Sequence, residues 1–376
     1  MSETTQESEK AERLAALNSW SKNLLLAQGE AIDDSFQLVP ASDDASFRRY
    51  FRPGFFSDEI VGRGTAVGAV VGTVHGTPVT QEYVFVDAPP THENNQAFLL
   101  VNGYLHDTGV RVPRIYEADL EAGYLMIENF GDQLCLDVLE DEVNDRSGEI
   151  IQQAIDVIVQ MQSKGSDISL PGYDKTLLES EMSLFVDWFV LQQLKLVLSS
   201  EEIGEIESVK SLLIDTALEQ SVVFVHRDFH SRNLMVLSDG DLGVIDFQDA
   251  VLGPVTYDLV SLLKDCYYRF PRKEVCNWVE QFRLKLVRDG QLADVDPDAF
   301  LKWFDLMGMQ RHLKCAGIFS RLNLRDGKQR YLADIPLVIS YIVETCKNYP
   351  EMTKFGDWLE NRILPELDDD CFKKVS

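Results

Sequence analysis

Hydrophobic periodicity is mostly β-like from 36 to 129 and almost wholly helical beyond Gly131, and this contrast limits the folds open to the chain. Over 36–87, short runs rich in β-branched and aromatic residues alternate with Gly, Asp and Pro turns, which is typical of antiparallel strands. Beyond Gly131 the apolar residues recur at helical spacing, as at Ile151, Ala154 and Ile158. We therefore expect an α+β fold with a small antiparallel sheet, a larger helical lobe and a ligand site at their junction.

The two parts can be assigned to residue ranges. The first part is predicted to contain a leading helix over 13–27, about five strands and one interposed helix over 94–106. It is assigned to 1–129. The helical part is assigned to 130–376, and its one β-rich interruption lies at 221–247.

The charge balance limits the classes of molecule that the protein can bind. The 62 acidic and 35 basic residues leave a net charge of -27, which would repel a phosphate backbone or an anionic membrane surface. No segment is apolar over the roughly 18 to 20 residues needed to span a bilayer, and the six cysteines show no metal-ligand spacing. The sequence therefore predicts a cytoplasmic protein that acts on small molecules, with no nucleic-acid or membrane partner. It leaves the oligomeric state open.

One polar run carries the strongest chemical signal. His226, Arg227 and Asp228 follow the apolar stretch VVFV, Asn233 comes five residues after Asp228, and Asp246 lies on a second short strand. This is the kinase spacing H-R-D-x-x-x-x-N followed by D-F-x. In phosphoryl transfer one carboxylate accepts or orients the proton of the acceptor hydroxyl, while a carboxamide and a second carboxylate hold Mg²⁺. We therefore predict Asp228 as the base, with Asn233 and Asp246 as ligands of the metal and contacts of the nucleotide.

The motif and its surroundings resemble a known family. The run HRDFHSRN and the following IDFQDAVLGPVTYDLVSLL resemble the aminoglycoside phosphotransferases, which share the bilobal protein-kinase-like fold and phosphorylate small-molecule hydroxyls. More closely, the segments DASFRRYFR, VDAPP and 307–332 resemble the anomeric N-acetylmuramate/N-acetylglucosamine kinases of cell-wall recycling. The resemblance implies ATP and Mg²⁺ as cofactors, a nucleotide-binding N-terminal lobe and an amino-sugar acceptor.

The resemblance also implies supporting roles near the catalytic run. Asp258 matches a family Asp that braces the catalytic loop, and His226 is predicted to support the same loop. The alternative for Asp258 is simple capping, because a carboxylate at the start of a helix is favourable to the helix dipole. His230 is predicted to contact the acceptor together with Asp228.

A protein kinase would also carry a Lys on its third strand to hold the nucleotide phosphates. The strand EYVFVDAPP has no Lys. Arg48 and Arg49, after the DDAS turn, are the nearest cations and are predicted to contact the nucleotide. The alternative is a pair of solvated arginines on a strand edge. The glycine-rich segment 54–80 lacks the spacing of a dinucleotide fingerprint or a P-loop, and its role is left open.

A local basic cluster stands out in the helical lobe. Arg311, His312, Lys314 and Arg321 are predicted to line the acceptor pocket, where Arg311 and His312 would contact an N-acetylmuramate whose lactyl carboxylate suits an arginine. The alternative is a helix face that neutralises neighbouring acids. Two rival functions also stay open: an aminoglycoside or choline-type kinase, and a nucleotide-binding pseudokinase adaptor, which the missing strand Lys suggests.

Overall fold

The computed structural model describes residues 3–30, 32, 34–41, 47–55, 82–141, 143, 145–164 and 167–373. They fall into two compact units. The described residues up to Gly103, together with Arg111–Asp132, form the first unit. Tyr104–Val110 and the described residues from Gln133 onward form the second.

The first unit is built on a five-stranded antiparallel sheet. Its strands are β1 Phe36–Pro40, β2 Arg49–Phe55, β3 Tyr83–Asp87, β4 Ile115–Asp119 and β5 Tyr124–Glu128. They lie in the order β1-β2-β3-β5-β4, and every neighbouring pair is antiparallel. The small antiparallel sheet expected from the sequence is therefore present. Helix α2, Asn95–Asp107, lies between β3 and β4 in the chain.

A long first helix packs on this sheet. Helix α1 spans Glu3–Ala27, which is ten residues longer at its start than the apolar spacing predicts. Four of its ten residues are Glu, and Gln, Lys and Ala occur once each; all of these residue types favour helix without needing an apolar face. Leu17 and Leu25 of α1 are fully buried against Phe85 and Met126 of the sheet. Burial of such side chains contributes about 1.5–3 kcal/mol each.

Two features of the sequence lie outside the described residues. The DDAS turn before Arg48 falls at 43–46, which the structure does not describe. The glycine-rich segment 54–80 is described only at its first two positions, where β2 ends. Its role stays open.

The second unit is mainly helical. Its α-helices after α2 are α3 Cys135–Leu139, α4 Ser147–Gln162, α5 Lys175–Leu184, α6 Ser200–Glu219, α7 Tyr257–Leu263, α8 Arg272–Arg288, α9 Pro297–Asp326, α10 Ile335–Asn348 and α11 Thr353–Trp358. Helix α5 continues as a π-helix, Phe185–Gln193, and a second π-helix spans Leu359–Ile363. Short 3₁₀ helices cover Gln329–Asp334, Pro350–Met352, Leu364–Asp368 and Asp370–Phe372.

Helix α9 is 30 residues long and has clear end signals. Asp296 caps its start by accepting backbone N–H groups, Pro297 occupies the first turn, and Gly327 ends it in the left-handed region with φ of 68°. Gly317 allows close packing, because a Cβ there would lie 2.3 Å from the backbone carbon of Leu184 at the end of α5. Helices α5 and α9 therefore approach each other more closely than any larger residue would permit.

Four short strands interrupt the helices and carry the polar run. They are β6 Val222–Val225, β7 Leu234–Val236, β8 Leu242–Val244 and β9 Val251–Pro254. β6 pairs with β9 and β7 pairs with β8, both antiparallel. The sequence did not predict β9, because its VLGP contains glycine and proline, which are uncommon in strands. Across the part of the chain that is described, no helix is long and apolar enough to cross a membrane.

Candidate active site

The polar run from His226 to Asn233 forms the loop between β6 and β7, which we call the catalytic loop. A buried carboxylate accepts hydrogen bonds from the start of this loop. Asp258, near the start of α7, is fully buried and accepts the backbone N–H groups of His226 at 2.8 Å and Arg227 at 3.1 Å. Burial outweighs these two hydrogen bonds and raises the pKa of Asp258 to about 7. This is the contact that the predicted bracing role requires.

His226 links the loop to the second short strand. Its Nε2 lies 3.0 Å from the carbonyl oxygen of Ile245, and its Nδ1 accepts the backbone N–H of Asp228 at 3.3 Å. Burial lowers the pKa of His226 to about 4, so that the ring is neutral at pH 7. A neutral ring that donates from Nε2 and accepts at Nδ1 satisfies both contacts. His226 therefore orients the loop without carrying charge.

Two residues of the site adopt left-handed backbone conformations. Arg227 has φ of 76° and Asp246 has φ of 63°, although neither is glycine. Such conformations cost about 1–3 kcal/mol each and persist only where surrounding contacts impose them. Here one of them, Arg227, directly precedes the predicted base Asp228, and the other, Asp246, is a predicted metal ligand.

Asp228 is surrounded by cations. Its Oδ1 lies 3.5 Å from Nη1 of Arg311, and its side chain is 38% exposed. Burial would raise the pKa of Asp228, but the charges of Lys314 and then Arg311 outweigh burial and hold that pKa well below its ordinary range. Asp228 is therefore a carboxylate at every pH at which the protein would be assayed.

Asn233 and Asp246 lie side by side next to this loop. The Nδ2 of Asn233 donates to the carbonyl oxygen of Asp228 at 3.0 Å and lies 3.3 Å from Oδ2 of Asp246. Gln248 donates to Oδ1 of Asp246 at 2.7 Å. A carboxylate and an adjacent carboxamide offer the oxygen ligands that Mg²⁺ prefers, so the residues present fit the implied metal. Within the described ranges no group of three or more His, Cys, Asp or Glu is placed to hold a metal by itself.

A cavity of about 290 Å³ opens beside Asp228 within the second unit. The charged residues that line it are Arg227, Asp228, Asp249, Arg311 and Lys314, and His230 lines it as well. Its apolar side includes Ile318, Phe319 and Leu322 of α9. The cavity therefore combines a charged end, where Asp228 lies, with an apolar end that could take a small uncharged group.

The structure separates the predicted acceptor residues into two sets. Arg311, Lys314 and His230 line the cavity, and the Nδ1 of His230 has no hydrogen-bond partner among the described residues. His312 does not line it: this ring is buried, stacks on Tyr341 and lies 2.9 Å from the carbonyl oxygen of Lys264. Arg321 is not among the lining residues either.

One functional candidate was missed from the sequence. Glu181 of α5 is 6% exposed, forms an ion pair with Arg227 and lies 3.1 Å from Nζ of Lys314. The available signal was its position, because Glu181 falls between the buried Leu178 and Phe185 on the apolar face of its helix. A carboxylate on a buried face needs cationic partners.

The two arginines predicted to contact the nucleotide are paired with carboxylates in the first unit. Arg49 donates from Nε to Oδ2 of the fully buried Asp87 at 3.1 Å, and Arg13 donates to Oδ1 of the same carboxylate at 2.9 Å. Arg48 is 1% exposed, and its Nη2 lies 3.3 Å from Oε2 of Glu93. Their contact with nucleotide stays a prediction.

Comparison with known proteins places these features in a family. The model of the phosphotransferase enzyme family, APH, matches residues 38–290. An N-acetylmuramate/N-acetylglucosamine kinase of Pseudomonas aeruginosa is 38% identical over 358 residues, which is 94% of this chain and 97% of the relative. A protein of the same name from Neisseria meningitidis is 36% identical and covers 84% of this chain and 88% of the relative.

Solved structures show the same architecture. An ethanolamine kinase of Plasmodium vivax superposes with a TM-score of 0.54 at 12% identity, covering 85% of this chain and 84% of that chain. The GDP complex of aminoglycoside 2'-phosphotransferase-IIIa superposes with a TM-score of 0.51 at 15% identity, covering 88% and 99%. The protein-kinase-like fold and the family resemblance predicted from the sequence are both confirmed. This chain therefore belongs to the phosphotransferase enzyme family and is an enzyme with a protein-kinase-like fold.

Proposed function

We propose that this enzyme transfers the γ-phosphoryl group of ATP to the anomeric hydroxyl of N-acetylmuramate and N-acetylglucosamine, in the cytoplasmic recycling of cell-wall amino sugars. The observation that carries the proposal is that the carboxylate of Asp228 lines a cavity together with Arg227, Arg311 and Lys314. Relatives named for these two sugars match this chain over nearly its whole length.

Asp228 is proposed to orient the sugar hydroxyl for in-line attack and to take its proton. The hydroxyl oxygen forms a bond to the γ-phosphorus, the bond to the leaving ADP breaks, and the proton passes to the carboxylate. A carboxylate with a lowered pKa is a weak base, which suits a loose transition state in which the hydroxyl becomes acidic only as its bond to phosphorus forms. Orientation of the hydroxyl is therefore its larger contribution.

Asn233 and Asp246 are proposed to hold Mg²⁺. When bound, this ion neutralises charge on the nucleotide phosphates. Gln248 donates to Oδ1 of Asp246, and Oδ2 of the same carboxylate lies 3.3 Å from Nδ2 of Asn233. No other residue of the chain is assigned to the metal.

Three cations, Arg227, Arg311 and Lys314, and two carboxylates, Asp228 and Asp249, line the cavity, and this excess of positive charge favours an acceptor that is neutral or anionic. N-acetylation removes the charge from an amino sugar, and the lactyl group of N-acetylmuramate adds a carboxylate. Arg311 lines the cavity and is 2% exposed, and its Nε has no hydrogen-bond partner among the residues that the structure describes. We propose that this arginine attracts the lactyl carboxylate.

The same charges disfavour the rival acceptors. An aminoglycoside or choline is positively charged at neutral pH, and the cations around Asp228 would repel it. A nucleotide-binding adaptor could use Asn233 and Asp246 to hold the metal, but it would have no need for Asp228 beside them, which only phosphoryl transfer requires. A kinase uses all of these features.

The test is turnover of the Asp228→Asn variant. The amide preserves size but accepts no proton, so kcat should fall at least about 100-fold while ATP affinity is retained. Asp241→Asn is the matched control, because Asp241 is exposed in the turn between β7 and β8. Unchanged turnover in Asp228→Asn would remove this residue from the mechanism.

A further inference from the structure

Arg227 is fixed by contacts at both its backbone and its side chain. Its backbone N–H donates to Asp258, and its carbonyl oxygen accepts from Nη1 of Arg311 at 2.9 Å. Its guanidinium donates to Glu181 and, at 3.3 Å, to the carbonyl oxygen of Asp249. Since its φ of 76° is unfavourable for a residue with a Cβ, these contacts must supply the free energy that holds this conformation.

Among the described residues, Glu181 is the only acidic side chain that forms an ion pair with Arg227. It has no role in the proposed chemistry and lies on α5, outside the catalytic loop. Its Oε1 also lies 3.1 Å from Nζ of Lys314, while Oε2 lies 3.3 Å from Nε2 of Gln310 and accepts a hydrogen bond from Tyr173. Glu181 therefore joins α5, α9 and the catalytic loop through both of its oxygens.

The position of this contact determines what it can affect. Arg227 immediately precedes Asp228, so a change in the backbone at Arg227 rotates the peptide that carries the catalytic carboxylate. Displacement of a reacting group by about 1 Å can cost about 100-fold in rate. Loss of Glu181 should therefore displace Asp228 and leave nucleotide binding largely unaffected.

We propose that Glu181 is a positioning residue that anchors the guanidinium of Arg227 and so holds the left-handed turn that places Asp228 against the acceptor. The inference rests on the proposed role of Asp228. Tyr173 and Gln310 hold the second oxygen of Glu181 and limit its rotation. Lys314 shares the first oxygen, so the cluster contains two cations for the one carboxylate of Glu181.

The test compares kcat and KM in variants of both partners. Glu181→Gln and Arg227→Gln should each lower kcat about 10- to 100-fold while the KM for ATP stays within about twofold of wild type. Because both substitutions remove one anchor, the kcat of the double variant should lie within about threefold of either single variant. A purely structural role would lower the melting temperature and leave the kcat of the folded protein unchanged.

The control is Glu179→Gln, two residues away on the same helix, where the side chain is 48% exposed and pairs with Lys175. It should leave kcat unchanged. If Glu181→Gln does not fold, Glu181→Asp keeps the charge but withdraws the carboxylate, and its kcat should still fall at least about threefold.

Three results would overturn the inference. The first is a wild-type kcat in any folded Glu181 variant, and the second is a loss of kcat in the double variant equal to the product of the two single losses. The third is a loss of kcat in Glu179→Gln as large as that in Glu181→Gln. Failure of the proposed function is a separate result: it appears in the wild-type enzyme or in Asp228→Asn, not in these variants.

Discussion

Replacing the buried Asp258 by Asn should change how stability depends on pH. The raised pKa of Asp258, from 3.8 to about 7, means that the folded protein keeps a proton that the unfolded chain has released over this range. The free energy of unfolding therefore falls as pH rises through this window and levels off above pH 7. Of the interval from pH 5 to pH 8, about two pH units lie below the folded-state pKa, and each of them lowers the free energy of unfolding by about 1.4 kcal/mol. The wild-type protein should lose about 2 to 3 kcal/mol from this one group.

The amide side chain of the Asp258→Asn variant carries no charge at either pH, so the variant lacks this loss. This amide can accept only one of the two backbone N–H groups, but that cost is the same at both pH values. Urea denaturation of both proteins at pH 5 and pH 8 gives the comparison, in which all shared titrations cancel. The free energy of unfolding of Asp258→Asn, relative to that of the wild type, should be about 2 to 3 kcal/mol higher at pH 8 than at pH 5. A difference in stability that stays constant with pH would refute the reasoning.

The remaining predictions concern the metal, the acceptor and the nucleotide. Asp246→Ala should raise the Mg²⁺ concentration needed for half-maximal activity, with Asn233→Ala acting in the same direction but less severely; unchanged metal titrations in both would place the metal elsewhere. Arg311→Ala should reduce kcat/KM for N-acetylmuramate about tenfold more than for N-acetylglucosamine, because only the former has a lactyl carboxylate, and equal losses would indicate support of the loop alone. Arg49→Ala should raise the KM for ATP severalfold while Arg13→Ala, which pairs with the same Asp87, does not; matching effects in both would make Arg49 structural.

The catalytic loop could be anticipated from sequence because its members are close along the chain. Asp228 and Asn233 lie on one tight loop, and the apolar runs on either side indicate the strands that end at it. Asp246 lies two residues beyond β8, which ends at Val244, and so is not on the short strand where the sequence predicted it. Local spacing therefore determines much of their geometry, and the structure brings these three residues together.

Contacts between residues far apart in the chain, and the direction in which each helix face points, could not be predicted from local spacing. Glu181 meets Arg227 across 46 residues, and no local pattern identifies its partner. The basic residues of α9 were predicted as one cluster, but Arg311 and Lys314 share a face with Ile318 and line the cavity, whereas His312 points to Lys264. Consecutive helical residues point in directions about a quarter-turn apart, so only the packing of α9 decides which of them meets the acceptor.

The identity of the phosphorylated product tests the central claim most directly. The purified enzyme would be incubated with ATP and Mg²⁺ and, in turn, N-acetylmuramate, N-acetylglucosamine, an aminoglycoside and choline, and the products examined by phosphorus NMR. We predict that phosphate appears on the anomeric oxygen of both sugars, that the cationic acceptors are not used, and that Asp228→Asn forms no product in the same time. Phosphorylation of an aminoglycoside or choline with neither sugar used would contradict the account.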